Sequence, residues 1–205
     1  RQSGCRLCYV VFASRRRCLS LAGAVCVATA GGALGQQAVT LTLDAASVGT
    51  NQFDIAVDAL GTNDSASTDF SGTIETLLNI GYDAGNNPTT TGLELVSGDL
   101  AATDVSLSLA GGFLAVNLTG MGATVDTPTP PGAVTGTQFD TSLHAVIINQ
   151  GNVAAAGENI DLSTSPVDGT TAGTGTLLVT LNNIAGNIAT YDVVLTLPVD
   201  FADTF

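Results

Sequence analysis

Apolar and polar side chains alternate with a period of two residues along most of the chain. In "VTLTLD" the alternation places Leu41 and Leu43 on one face, and "DVSLSLA" repeats the pattern around Leu107. Because successive side chains of a strand point to opposite faces, this pattern predicts strands with one buried face. The same alternation predicts strands over residues 53–60, 70–80, 93–96, 113–118, 137–149, 176–183 and 190–197.

The segments between these strands are rich in Gly, Asn, Asp, Ser and Thr. "GTNDSASTD" (residues 61–69) and "DAGNNPTTTG" (residues 83–92) are typical of turns and loops. No segment after residue 35 carries the apolar stripe of an amphipathic helix. Many short strands with regular turns predict an all-β fold, an antiparallel β-sandwich with a β-barrel as the alternative.

The N-terminus differs sharply from the rest of the chain. All five basic residues and all four cysteines lie within the first 26 residues. "SRRRCLSLAGAVCVATAGGALGQQ" combines a basic cluster, a short apolar run and small residues, as a signal peptide does. Cleavage after Gly35 is expected, with a second candidate site after Ala30. The apolar run is shorter than the roughly 20 residues of a membrane-spanning helix.

This pattern predicts a leader over residues 1–35 and a single all-β domain over residues 36–205. The expected location is outside the cell or on its surface, with the periplasm as an alternative. Three prolines between residues 122 and 137 predict a Pro-rich loop within that domain, since proline is excluded from central strands. A linker between two smaller β-domains is the alternative.

The charge of the expected mature chain restricts its partners. Residues 36–205 carry all 18 acidic groups and no lysine or arginine. Such a surface repels nucleic acid and anionic membranes, because binding to both depends on Lys and Arg. The expected partners are other extracellular or surface components, with the oligomeric state left open. Lysine-dependent phosphate loops and cysteine-ligated zinc are equally excluded from this region.

"FDTSLHAVIINQG" (Phe139 to Gly151) contains the one histidine of the chain. Asp140, Ser142 and His144 lie two residues apart, which suggests a catalytic triad. On a strand, such neighbours are separated by about 6.5–7 Å, whereas a nucleophile and its base need contact at about 2.6–3.2 Å. The spacing therefore predicts a solvent-facing polar row on a strand over residues 137–149, with Leu143 on the opposite, core face. No catalytic residue is predicted.

Two groups of oxygen-bearing side chains are candidates for calcium, the one cofactor that the composition suggests, because calcium prefers oxygen ligands. The first group, expected to share one loop, comprises Asp58, Asn63, Asp64 and Asp69. The second comprises Asp83, Asn86 and Asn87. Neither group has the spacing of an EF-hand, and ordinary Asx turns are the alternative interpretation.

A Lys-free, Thr- and Gly-rich acidic β-domain behind a leader, with strands such as "SGTIETLLNI", resembles exported surface proteins of Gram-negative bacteria. Many proteins of that class carry a C-terminal Pro-Glu-Pro sorting tail, whereas this sequence ends in "PVDFADTF". The resemblance implies export and a surface location, and it transfers no functional residue.

Three functions remain as hypotheses. The first is a non-enzymatic structural, adhesive or matrix protein, secreted or on the cell surface. The second is a β-barrel that holds a small apolar ligand. The third is an extracellular hydrolase in which two of Glu75, Glu94 and Glu158 face each other across a cleft.

Overall fold

The computed structural model describes residues 17–28, 35–43, 52–59, 62–85, 87–126, 132–170, 173–185 and 188–201. These residues form fourteen strands, two short 3-10 turns and no α-helix. The strands are β1 Arg17–Ala28, β2 Gly35–Leu43, β3 Gln52–Ala59, β4 Thr62–Tyr82, β5 Pro88–Ala102, β6 Val105–Leu109, β7 Leu114–Asp126, β8 Gly132–Thr135, β9 Gln138–Asp140, β10 Ala145–Ala155, β11 Glu158–Asp161, β12 Val167–Thr170, β13 Thr174–Ala185 and β14 Ile188–Phe201. The turns are Ala110–Gly112 and Thr141–Leu143.

All fourteen strands belong to one antiparallel sheet. Its order is β1-β2-β4-β5-β8-β9-β13-β14-β12-β10-β7-β6, with β3 beside β4 and β11 beside β10. β14 also pairs with β1, and β5 also pairs with β7. β4 approaches β6, and β13 approaches β5, without hydrogen-bonded pairing, so the sheet folds over its own inner face.

The core is formed by the inner face of this sheet. In β14 every second side chain from Tyr191 to Val199 is almost completely buried, which gives five buried residues at alternate positions. Leu41 in β2 and Leu107 in β6 are buried as the alternation predicted. Burying a Val, Leu or Tyr side chain of this kind stabilises the fold by about 1.5–3 kcal/mol each relative to exposure.

The prediction of an all-β antiparallel fold is confirmed. The sheet is not closed into a barrel, so the barrel alternative for the fold is wrong. Its interior is filled by the apolar side chains of one continuous core cluster.

Two segments that were predicted to be loops belong to strands. β4 begins at Thr62, so most of "GTNDSASTD" pairs with β3 as a regular hairpin. β5 begins at Pro88, so only the first residues of "DAGNNPTTTG" form a turn. Thr and Ser at alternate positions of β4 are compatible with a strand, and pairing with β3 outweighs their turn preference.

The predicted Pro-rich loop over residues 122–137 is also largely strand. β7 continues to Asp126, and Gly132–Thr135 forms β8, which pairs with β5 and β9. The three prolines themselves lie outside the described residues. A strand that precedes this segment in the chain, β5, pairs with a strand at its end, β8.

The apolar part of the predicted leader forms a strand. β1 pairs with β14 over twelve consecutive residues, from Arg17 opposite Val199 to Ala28 opposite Ile188. With β2 it shares one pair, Ala22 opposite Thr42. Removal of the leader stays a prediction. Among the described residues, no helix has the length and apolar character that a membrane span requires.

Candidate functional site

The strand predicted over residues 137–149 is interrupted by a 3-10 turn. β9 ends at Asp140, Thr141–Leu143 forms the turn, and β10 begins at Ala145. The carboxylate of Asp140 accepts a hydrogen bond from the Ser142 backbone N–H at 2.9 Å, and the His144 N–H donates to the Thr141 carbonyl at 3.0 Å. Because a 3-10 turn has three residues per turn, the two-residue alternation does not continue through it.

The turn reverses which side chains are buried. Phe139 and Thr141 are buried as predicted, but Leu143 is 43% exposed and His144 is 3% exposed. The prediction of a solvent-facing row containing Asp140, Ser142 and His144 is therefore wrong for His144. Asp140 and Ser142 are exposed, so the three side chains do not share one surface.

His144 lies in an apolar environment. Its ring packs edge-on against Phe139, with ring centroids 5.1 Å apart and planes at 85°. Burial lowers the pKa of His144 to about 4, although the negative charge of Asp140 acts in the opposite direction. The imidazole is therefore neutral at physiological pH, which suits a core side chain.

An open hollow of about 590 Å³ lies beside this turn. Its lining comprises Ala133, Thr135, Gln138, Phe139, Asp140, Gly173 and Thr174. Asp140 is the one ionisable side chain in that lining, and hydrogen bonds from Ser142 hold the pKa of its carboxyl below the usual range.

The first calcium group does not share a loop. Asp58 and Asn63 are opposite each other in the β3–β4 hairpin, whereas Asp64 is opposite Val57 and points to the other face. Asp69 is opposite Gln52, five residues further along β4 than Asp64, or about 17 Å at the usual rise. The hairpin register therefore separates residues that are close in the sequence.

Asp64 has another role. One of its carboxylate oxygens accepts from the Ser65 N–H and the other from the Ser108 N–H, both at 2.9 Å. The bond from Ser108 connects β4 to β6. Within the described part of the chain, no three His, Cys, Asp or Glu side chains are close enough together to hold a metal ion.

The second calcium group forms an Asx turn between β4 and β5. One oxygen of Asp83 accepts from the backbone N–H groups of Gly85 and Asn87, each at 2.8 Å. The Asn87 side-chain amide also donates to this carboxylate. These hydrogen bonds, first that from the Asn87 backbone, lower the pKa of Asp83. Asn86 lies outside the described residues.

The glutamates of the hydrolase hypothesis do not face one another across a cleft. Glu75 in β4 and Glu94 in β5 are diagonal neighbours, because Glu94 is opposite Leu77. Both lie on the outer face of the sheet, where Glu75 accepts from the Thr40 hydroxyl at 2.8 and 2.9 Å. Glu158 is exposed in β11, which pairs with β10 in another part of the sheet.

Two features were missed at the level of sequence. The turn between β6 and β7 displays Phe113, which is 85% exposed and follows two glycines with positive φ. Tyr82 and Tyr191 share a hydrogen bond between their hydroxyls, and burial raises the pKa of Tyr191 to about 12. The Ala-Gly-Gly-Phe turn was a visible signal for the first, but the tyrosine pair joins residues 109 positions apart.

Comparison with known proteins finds no family model, no curated protein and no solved structure that matches this chain. The resemblance to exported bacterial surface proteins therefore stays a prediction. The functional assignment depends on the chemistry of the described residues.

Proposed function

We propose that the chain is a non-enzymatic structural or adhesive protein, exported to the cell surface or the extracellular matrix. One observation carries the proposal: its acidic side chains connect parts of the fold. Asp83, Asp140 and Asp161 each accept backbone hydrogen bonds within a turn. Glu75 connects β4 to Thr40 of β2, and Asp192 connects β14 to Asn182 of β13.

The acidic surface supports contacts through cations and through apolar side chains. The expected mature chain has no basic residue to pair with its carboxylates, so mobile cations are expected to reduce its self-repulsion. Exposed apolar side chains such as Phe113 and Ile184 offer contact area for another surface. Other surface or extracellular components are the proposed partners.

Export is tested by producing the full chain in a Gram-negative host and fractionating the cells. We expect the protein outside the cytoplasm, with a mass that corresponds to cleavage after Gly35 or Ala30. Val25→Arg is the control, because a charge within the apolar run should block recognition of the leader. Unprocessed protein that stays in the cytoplasm would contradict the proposed location.

The non-enzymatic assignment is tested with chromogenic esters and glycosides as substrates. We expect no turnover above that of the Glu75→Gln/Glu94→Gln double variant, because these carboxylates lie on an open face of the sheet. Turnover by the native protein that the double variant lacks would show that the glutamates are catalytic, and the assignment would be wrong.

A further inference from the structure

Among the residues that the structure describes, the partner of β14 on one edge, at positions 188–199, is the segment expected to leave with the leader. On its opposite side β14 pairs with β13, from Thr196 opposite Thr176 to Ile188 opposite Ala185. On the β1 side, twelve residues of β14 pair with Arg17–Ala28. Both candidate cleavage sites, after Ala30 and after Gly35, follow this segment. Cleavage at either site would therefore uncover the edge.

The uncovered edge would be long, continuous and weakly charged. Twelve residues correspond to about 40 Å of strand with unpaired backbone groups. The pairing with β1 contains no bulge, and the one charged residue between positions 188 and 199 is Asp192. Natural edge strands are usually protected by lysines, bulges or prolines, and a long apolar edge without them associates with other strands. Here Pro198 protects only one end.

β2 does not close the space that β1 would leave. β1 meets β2 at a single pair, Ala22 opposite Thr42, while β2 pairs over its whole length with β4 on its other side. β2 therefore lies close to β1 without continuous hydrogen-bonded pairing to it. Without β1, the backbone groups on this edge of β14 at positions 188–199 would have no strand partner among the described residues.

We propose that, after processing, β14 pairs with β14 of a second copy and joins the two sheets. An antiparallel strand is self-complementary about a two-fold axis, so each copy offers the required partner. Placing Val193 opposite Val193 of the second copy keeps every side chain on its own face, with Asp192 opposite Val194. The inference rests on the proposed export and processing, and it names the partner as another copy of this chain.

Charge determines the conditions for pairing. Each processed copy carries 18 acidic groups and no lysine or arginine, so repulsion opposes the contact at low ionic strength. Salt shortens the distance over which this repulsion acts, from about 30 Å at 0.01 M salt to about 3 Å at 1 M salt. Association is therefore expected to strengthen as salt concentration rises.

The contact between two β14 strands is tested by light scattering on two samples, the processed protein and the full chain synthesised without membranes. The mass of each chain is determined to show whether the leader is still attached. We expect dimers of the processed form in high salt and monomers of the full chain. Val194→Asp should weaken dimerisation by about tenfold or more, because each copy would then place a second carboxylate opposite Asp192 of the other copy, and like charges directly opposite each other destabilise a strand pair. Leu178→Asp is the matched control: residue 178 is opposite Val194 on β13, and the variant should still dimerise.

A disulfide cross-link tests the register independently of stability. Residues 36–205 contain no cysteine, so introduced cysteines are the only thiols in processed protein. A mixture of Asp192→Cys and Val194→Cys protein should form a mixed disulfide dimer, whereas Asp192→Cys with Leu178→Cys should not. A synthetic peptide of residues 17–28 in which Cys18 and Cys26 are replaced by serine should compete for the edge and prevent both the dimer and the cross-link.

Three results would overturn the inference: monomeric processed protein in high salt, dimers that neither Val194→Asp nor the peptide affects, or exported protein that retains residues 17–28. The first two leave the proposed function intact, because an exported structural protein does not require this contact. A failure of export would be seen in the cell fractions, and it would contradict the proposed function.

Discussion

Protonation of His144 is expected to destabilise the protein between about pH 6.5 and pH 4. The pKa of the buried imidazole is lowered from 6.5 to about 4, chiefly by burial. The unfolded chain therefore binds a proton before the folded chain does. The stabilising effect of the neutral ring is complete above the unfolded pKa and is lost as the pH falls towards the folded pKa.

The size of the effect follows from the two pKa values. A difference between 6.5 and about 4 corresponds to at most about 3 kcal/mol of unfolding free energy. By linkage, about 1.4 kcal/mol is lost at about pH 5.5 and about 2 kcal/mol at about pH 5.0. The exposed Asp83, Asp140 and Asp161 have lowered pKa values, so their stabilising effects are lost below about pH 4, in a separate window.

The assay is urea unfolding of native protein and of His144→Leu at about pH 7.5 and about pH 5.0. The native protein should lose about 2 kcal/mol more than the variant between these conditions, whatever the difference in stability at neutral pH. Because the chain has one histidine, its imidazole resonance also reports the folded pKa directly by NMR. Equal losses in both proteins, or an imidazole that titrates near its ordinary value, would refute the argument.

Three further predictions concern other parts of the fold. Gly72 has φ +139, and a Cβ there would lie 2.1 Å from the Asp99 carbonyl oxygen. Gly72→Ala should therefore lower the unfolding free energy, measured in urea, by at least about 2 kcal/mol. Its control is Gly136→Ala, where φ is also positive but the space is open, and which should lower that free energy by about 1 kcal/mol. Phe113→Ser should reduce adsorption to phenyl-coated beads and change the unfolding free energy by no more than about 0.5 kcal/mol. Unchanged adsorption would show that Phe113 does not contact the apolar surface. Millimolar calcium should raise the melting temperature no more than magnesium does, because Asp58, Asp64 and Asp69 are separated by the hairpin register, and a calcium-specific increase would contradict this.

Local alternation was sufficient to predict most strands and their inner faces. Leu41 in β2 and Leu107 in β6 are buried as the two-residue period requires. The same period failed at residues 141–143, because the 3-10 turn shifts the alternation and moves His144 into the core. That turn depends on contacts from outside the segment, since both the backbone N–H and the hydroxyl of Thr141 donate to the Gly173 carbonyl.

Composition likewise excluded some classes of functional site, but it did not locate any site in the fold. The absence of lysine, arginine and cysteine after residue 26 follows from the sequence alone. The positions of the acidic groups relative to each other do not, because they depend on which strands pair and in what register. Asp64 and Asp69 are near in sequence but lie on opposite faces of β4, while Asp64 reaches Ser108 in another strand.

The sequence by itself thus determined an acidic, all-β chain with alternating core positions, since both properties are local. Only the tertiary structure decided that Arg17–Ala28 pairs with β14, nearly the whole chain away. Hydrogen bonds between strands form between backbone groups, which are almost identical at every residue. Partners and register are therefore selected by packing of the complete sheet, and a local pattern does not contain that information.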